Sequence, residues 1–115
     1  MIKPLLGVVA ALATFPLSAS AEGTTLASWY GPGFHGNRTA NGEIYDQHGI
    51  SVAHKTLPFG TRIRFCNPNN GRCVVASVND RGPYIHGRTF DLSMGAAQAI
   101  GIISQGVAEV DYEFL

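Results

Sequence analysis

The sequence predicts a mainly β fold, a small closed barrel of six short strands with one short helix. Three observations lead there. Apolar residues alternate with period two in several short runs, each bounded by glycine- or proline-containing turns. Only one segment carries helix signals at both ends. Glycine is abundant at 14 of 115 residues while charged residues make up only 14%, against usual frequencies of roughly 7% and about 25%. Closure is expected because an open sheet of such strands leaves two unpaired edges and a barrel leaves none.

The elements follow in order. Residues 1–21 read as a secretory leader: Lys3 gives a positive start, residues 5–17 form an apolar stretch interrupted by Thr14 and Pro16, and Ala19-Ser20-Ala21 is a small-residue cleavage site. The apolar stretch is shorter than the ~20 residues a membrane-spanning helix needs. Cleavage is expected after Ala21, with secretion across the inner membrane into the periplasm or beyond, and no membrane anchor afterwards. An uncut N-terminal anchor is the alternative, and N-terminal sequencing separates the two. Residues 22–115 then form one small domain. Thr25-Leu26-Ala27-Ser28-Trp29-Tyr30 alternates and stops at Gly31-Pro32-Gly33, a first strand that ends on two aromatics. Residues 34–46 lack a sustained period and read as an ordered surface loop. Residues 50–54 and 61–66 are the second and third strands, separated by the Leu57-Pro58-Phe59-Gly60 turn.

Cys66 and Cys73 flank Asn67-Pro68-Asn69-Asn70-Gly71-Arg72, a run of turn formers, so a β-hairpin closed by a disulfide is expected in an oxidising compartment. A metal site at these cysteines is the alternative, but no histidine pair stands at ligand spacing. The fourth strand, residues 73–78, runs into Asn79-Asp80-Arg81-Gly82-Pro83-Tyr84. Gly82-Pro83 cannot continue a strand, so Asp80 and Arg81 stand at a strand end beside a stiff turn, a common setting for functional groups. Residues 88–92 form a fifth strand. Ser93 reads as the N-cap of a helix over residues 94–100 that Gly101 stops. In residues 107–114 Val107, Glu109, Asp111 and Glu113 face one way and Ala108, Val110, Tyr112 and Phe114 the other, giving a half-buried sixth strand.

Charge excludes some partners. Eight basic residues balance eight acidic ones, and loss of Lys3 with the leader leaves the domain slightly acidic. No global field favours nucleic acid or an anionic membrane surface. Recognition must therefore come from local chemistry.

Five blocks occur in order: Ala27-Ser28-Trp29-Tyr30-Gly31, Thr39-Ala40-Asn41-Gly42-Glu43, Ala53-His54-Lys55-Thr56-Leu57-Pro58-Phe59-Gly60, Val78-Asn79-Asp80-Arg81-Gly82-Pro83, and Gly87-Arg88-Thr89-Phe90-Asp91-Leu92-Ser93. Together they resemble the RlpA-like (rare lipoprotein A) domain over essentially all of residues 22–115. The resemblance implies a six-stranded double-psi β-barrel, in agreement with the strand count. Tyr30-Gly31 and Phe90-Asp91-Leu92 are more distantly similar to the barrels of expansins and barwin-like endoglucanases. Unlike the longer members, this chain is expected to have neither a lipid-anchor cysteine nor a C-terminal peptidoglycan-binding domain.

The activity implied is that of an endolytic peptidoglycan lytic transglycosylase, cleaving the MurNAc-GlcNAc β-1,4 bond of glycan strands that lack stem peptides and leaving 1,6-anhydro ends. Such chemistry needs a carboxyl that is protonated when substrate arrives and ionised afterwards, so burial or a like-charged neighbour should raise its pKa. Carried over by block, the functional residues are Glu43, His54 and Asp80. Asp80 is expected to be the general acid and base, Glu43 to stabilise positive charge or tune Asp80, and His54 to orient a carboxylate. Asp91 is a secondary candidate, matching the aspartate that the expansin resemblance favours. Each has a plainer reading: Asp80 as a turn residue capping amides, Glu43 as a solvated loop charge, His54 as a satisfied strand histidine, Asp91 as an anchor of the strand-to-helix junction.

Sugar rings offer apolar faces that pack on aromatics, which singles out Trp29, Tyr30, Phe34 and Tyr84 as substrate contacts. Lys55, Arg81 and Arg88 are candidates for the carboxylate of a muramic sugar. The expected partner is the peptidoglycan glycan strand, bound by a monomer without metal or other cofactor. His35, His48 and His86 do not have ligand-like spacing with the carboxylates. The competing class is an expansin-like wall-binding or wall-loosening module that breaks no bond, and a secreted inhibitor on the same barrel is a third reading.

Overall fold

The computed structural model describes residues 21–115, so the leader predicted for residues 1–21 lies outside the described residues except for its last position. The strands are β1 (Ala21–Trp29), β2 (Ser51–Ala53), β3 (Arg62–Cys66), β4 (Cys73–Asp80), β5 (Phe90–Leu92) and β6 (Val107–Phe114), with helix α1 (Met94–Ile100) between the last two. They close into one barrel in the order β1-β5-β2-β4-β3-β6, with β6 returning to β1. Two pairs are parallel, β1 with β5 and β2 with β4, and the others antiparallel. This is the closed six-stranded barrel with one short helix that the sequence predicts, and its strand pairing is mixed.

Alternation decides what fills it. Ile63 and Phe65 from β3, Ala76 and Val78 from β4, Phe90 and Leu92 from β5 and Val110 from β6 are all buried, and Ala96, Ala97 and Ile100 of α1 plug one end. Phe65 and Phe90 meet edge to face at 4.9 Å, the arrangement that aromatic quadrupoles favour. Each large side chain removed from water contributes about 1.5–3 kcal/mol. Arg62 and Arg64 alternate outward, and Arg64 pairs with Glu113 of β6.

Helix α1 begins and ends where the sequence predicts. The Ser93 hydroxyl accepts from Ala96 N at 3.2 Å, and Gly101 takes the left-handed conformation at φ 76° that glycine adopts without strain. The hairpin tip completes the C-terminus. Asn67 Nδ2 and Asn70 Nδ2 donate to Ile100 O, while Arg72 donates to Ala99 O and Gln98 O. These are carbonyls that a helix leaves without internal partners. The Cys66–Cys73 disulfide joins directly paired residues of β3 and β4 and closes this hairpin.

Two boundaries differ from the sequence reading in ways that matter for the site. β1 starts at Ala21 because it pairs along β6. β4 continues two residues beyond Val78, to Asp80, because it pairs with β2.

Candidate active site

The site is built on one rung of the sheet. Ser28 of β1 is the partner of Asp91 on β5, Asp91 is the partner of Ala53 on β2, and Ala53 is the partner of Asp80 on β4. Asp91 lies between Phe90 and Leu92, both buried in the core, so pleating sends its carboxyl to the other face. Asp80 reaches the same face by a different route. Val74, Ala76 and Val78 pack inward, and simple alternation would turn Asp80 inward too. The register between β2 and β4 shifts after Val52–Val78, so that Ala53 pairs with Asp80. A bulge of this kind re-aims the next side chain. The two aspartates are thus two strand spacings apart, about 10 Å between Cα atoms, with side chains on one face.

Loops close over that face. Tyr30, Tyr45 and Ala53 form a small buried cluster beneath the carboxylates. The Tyr30 and Tyr45 rings stack at 4.4 Å, and Phe34 meets Tyr30 edge-on at 5.9 Å. Tyr45 is tied to the helix, its hydroxyl accepting from Met94 N at 3.1 Å. The cavity above measures about 350 Å³ and is walled by Asp80, Asp91, Trp29, Tyr30, Phe34, Arg81, Tyr84 and Arg88, with Ser28 and Ile85 among its other neighbours.

The two carboxylates have different surroundings. Asp80 is half-buried and accepts three hydrogen bonds, from Tyr30 Oη at 2.6 Å, Ala40 N at 2.8 Å and Arg81 N at 2.9 Å. Asp91 accepts from Ser28 Oγ at 3.0 Å. Burial pushes the Asp91 carboxyl above the ordinary aspartate range; the Ser28 hydrogen bond and Arg88 oppose that, and the Asp80 charge adds to it. The Tyr30 phenol is pushed strongly upward, first by burial, then by its hydrogen bond to Asp80 and the nearby charges. It therefore stays a hydrogen-bond donor.

Of the residues singled out in the sequence, eight meet in this cavity: Asp80, Asp91, Trp29, Tyr30, Phe34, Arg81, Tyr84 and Arg88. Trp29 also serves the core, packing against it and donating from Nε1 to Ile103 O. Arg81 is partly committed to the fold, donating to His54 O and Leu57 O and lying 4.0 Å over the Phe59 ring. Glu43, His54 and Lys55 do not line the cavity. Glu43 is exposed and accepts from Asn79 Nδ2 at 3.1 Å, next to the turn that delivers Ala40 N to Asp80. Lys55 is exposed on the loop after β2. His54 was expected to orient a carboxylate; its Nδ1 instead accepts from Thr56 N and Leu57 N.

Ser28, Tyr45 and Asn79 are not among the site residues expected from the sequence, although Ser28 and Asn79 lie within its motif blocks. Ser28 carried a usable signal, since it stands two residues before Tyr30 on the same strand face. Tyr45 follows Ile44 at the end of a loop of mostly polar residues and glycines, and nothing local announces that it is the one buried.

A family model described as "Lytic transglycolase" matches residues 22–112. The chain belongs to the RlpA-like lytic transglycosylase family. Proteins named endolytic peptidoglycan transglycosylase RlpA from Campylobacter jejuni and Vibrio cholerae are 52% and 49% identical to it over 90 and 89 residues, or 78% and 77% of this chain. Those stretches are 33% and 34% of the relatives, so the chain spans about a third of their length. Among solved structures, the Streptomyces papain inhibitor matches with a TM-score of 0.63 at 22% identity, covering 80% of this chain and 92% of that one. An apo expansin of Clavibacter michiganensis matches with a TM-score of 0.63 at 22% identity, over 81% of this chain and 50% of the expansin. These two likenesses show the barrel fold and nothing further.

Proposed function

We propose that this RlpA-like barrel is a peptidoglycan lytic transglycosylase, cutting the MurNAc-GlcNAc β-1,4 bond within glycan strands stripped of stem peptides. The single observation that carries this reading is the unequal aspartate pair in an aromatic-walled cavity. One carboxyl, Asp91, is raised by burial, and the other, Asp80, is held by three donors. The sequence favours Asp80 as the acid. The burial of Asp91, and the three donors that hold the Asp80 carboxylate in place, support assigning the acid to Asp91 instead.

In the proposed cycle the Asp91 carboxyl donates its proton to the glycosidic oxygen, and the bond from that oxygen to the anomeric carbon breaks with its electron pair. Positive charge develops on the ring and is balanced by the Asp80 carboxylate, fixed by Tyr30 Oη. The C6 hydroxyl of the same sugar attacks the anomeric carbon while the Asp91 carboxylate takes the hydroxyl proton. No water is consumed, and Asp91 ends protonated for the next turn. Tyr84, Phe34 and Ile85, all exposed at the cavity mouth, would pack on sugar faces and keep water from the charged centre. Arg88, with Arg81 beside it, is suited to hold the lactyl carboxylate. Glu43 would act one step removed, through Asn79 and the turn that positions Ala40. The site of action would be the periplasm or the cell exterior, with the chain working as a monomer.

Digestion of denuded peptidoglycan tests the reading. New 1,6-anhydro-muramic ends are expected, absent with Asp91→Asn. New reducing ends would make the protein a hydrolase. Binding without new ends would favour the expansin-like module, for which the exposed aromatics of the mouth already suffice.

A further inference from the structure

His54 is half-buried at the end of β2, its ring 5.1 Å from Phe90. Its Nδ1 lies 3.1 Å from Thr56 N and 3.0 Å from Leu57 N. Both are backbone donors, so Nδ1 must be unprotonated and the neutral ring carries its proton on Nε2. The ring thus closes a tight turn on its own backbone, in the way an Asn or Asp side chain does. The carbonyls of His54 and Leu57 in that turn receive Arg81 Nη1 at 3.2 and 2.9 Å, and Phe59 supports the guanidinium at 4.0 Å. Arg81 is bonded directly to Asp80 in the chain, and its amide holds Asp80 Oδ1 at 2.9 Å. His54 N also donates to Asp80 O at 3.2 Å. Everything the ring holds leads to Asp80.

We propose that His54 is a positioning residue that works through Nδ1 as an acceptor, shaping the 55–60 turn that clamps Arg81 and so fixes Asp80, and that it takes no part in proton transfer. The inference rests on the transglycosylase reading for its effect on turnover. It does not need that reading for its geometry. Burial, followed by the charges of Arg81 and Lys55, holds the His54 pKa below its ordinary value, which keeps the ring neutral and the acceptor available.

Two substitutions separate the ring nitrogens. His54→Asn puts an acceptor oxygen near the Nδ1 position, and His54→Gln puts its amide near Nε2. A positioning role through Nδ1 requires Asn to keep most of the wild-type turnover. Gln and Ala should lose about a hundredfold in kcat with little change in KM, the scale of a misplaced catalytic group. Asn being as inactive as Gln, with both folded by circular dichroism, would overturn the proposal. Imidazole nitrogen shifts from ¹⁵N-labelled protein give a second readout: a pyridine-like Nδ1, with Thr56, Leu57 and Arg81 amides unmoved in the Asn variant and moved in the Gln variant. A protonated Nδ1 would overturn the proposal equally. If the wild type makes no anhydro ends, the enzyme reading fails, and the nitrogen and amide shifts still decide the role of His54.

Discussion

Asp91 and Asp80 share a rung and a residue type, yet their neighbours separate them, and that separation has a measurable sign. If Asp91 must be protonated when substrate arrives, kcat/KM falls as pH rises through its pKa, at a point above the ordinary aspartate value of 3.8. Ser28→Ala removes a hydrogen bond that lowers the Asp91 pKa. The falling limb of the pH-rate profile should therefore move to higher pH, and Arg88→Gln should move it the same way. A limb that stays put in both variants removes Asp91 from the acid role. Asp91→Asn should cost turnover by about 10²–10⁴ while leaving the fold intact. Tyr30→Phe is expected to act differently. It keeps the stack on Tyr45 and deletes only the donor to Asp80, so it should destabilise by about 1.5–3 kcal/mol, the range for a hydrogen bond to a charged group. Urea denaturation measures that, and an unchanged midpoint would mean that the 2.6 Å contact contributes nothing.

The loop that walls the site is seated on helix α1 through a glycine. A Cβ on Gly95 would lie 2.4 Å from Gly49 O and 2.7 Å from His48 O. In an open helix, glycine to alanine gains about 1 kcal/mol from propensity. Here the added methyl meets backbone that cannot swing aside, and forcing it in costs about 1–3 kcal/mol. Gly95→Ala should therefore lower the melting temperature, and a rise would mean that residues 48–49 do not rest on the helix. The same loop ties Tyr45 Oη to Met94 N, so disturbing it should also loosen the platform under Tyr30. At the other end of α1, the disulfide-closed hairpin caps three carbonyls with Asn67, Asn70 and Arg72. Opening a short loop in the unfolded chain by Cys66→Ser with Cys73→Ser should cost about 2 kcal/mol from chain entropy, read as a shift in the urea midpoint. Helix and hairpin are coupled elements, and the sequence, which marks caps and turns locally, could not show that one caps the other.

At the scale of the whole barrel, what was legible was what repeats along the chain. Period-two runs marked the strands, and Ser93 with Gly101 bounded the helix at the residues observed. Closure followed from the need to pair edges. What alternation could not reveal was its own interruption: Val74, Ala76 and Val78 point Asp80 inward, and only pairing with Ala53 across a register shift turns it to the face of Asp91. Burial of Tyr45 and Asp91 is likewise a property of the closed barrel, and it makes the stability of the fold depend on pH. The folded pKa of Asp91 is raised above 3.8, so across that window the native state binds more protons than the unfolded chain and stability falls as pH rises. His54 acts with the opposite sign. Its folded pKa is lowered below 6.5, so stability is lost as pH falls toward that folded value. Comparing wild type with Asp91→Asn by urea denaturation cancels His54, which both proteins share. The wild type should lose stability relative to the variant as pH rises from 3.8, and the difference should level off once Asp91 is ionised in both states. A difference that is flat with pH, or that grows in favour of the wild type, would mean that Asp91 is not desolvated in the folded protein. Without desolvation Asp91 loses the largest source of its raised pKa, and with it the basis for the proposed acid role. This test decides that physical premise independently of whether any glycan is cut.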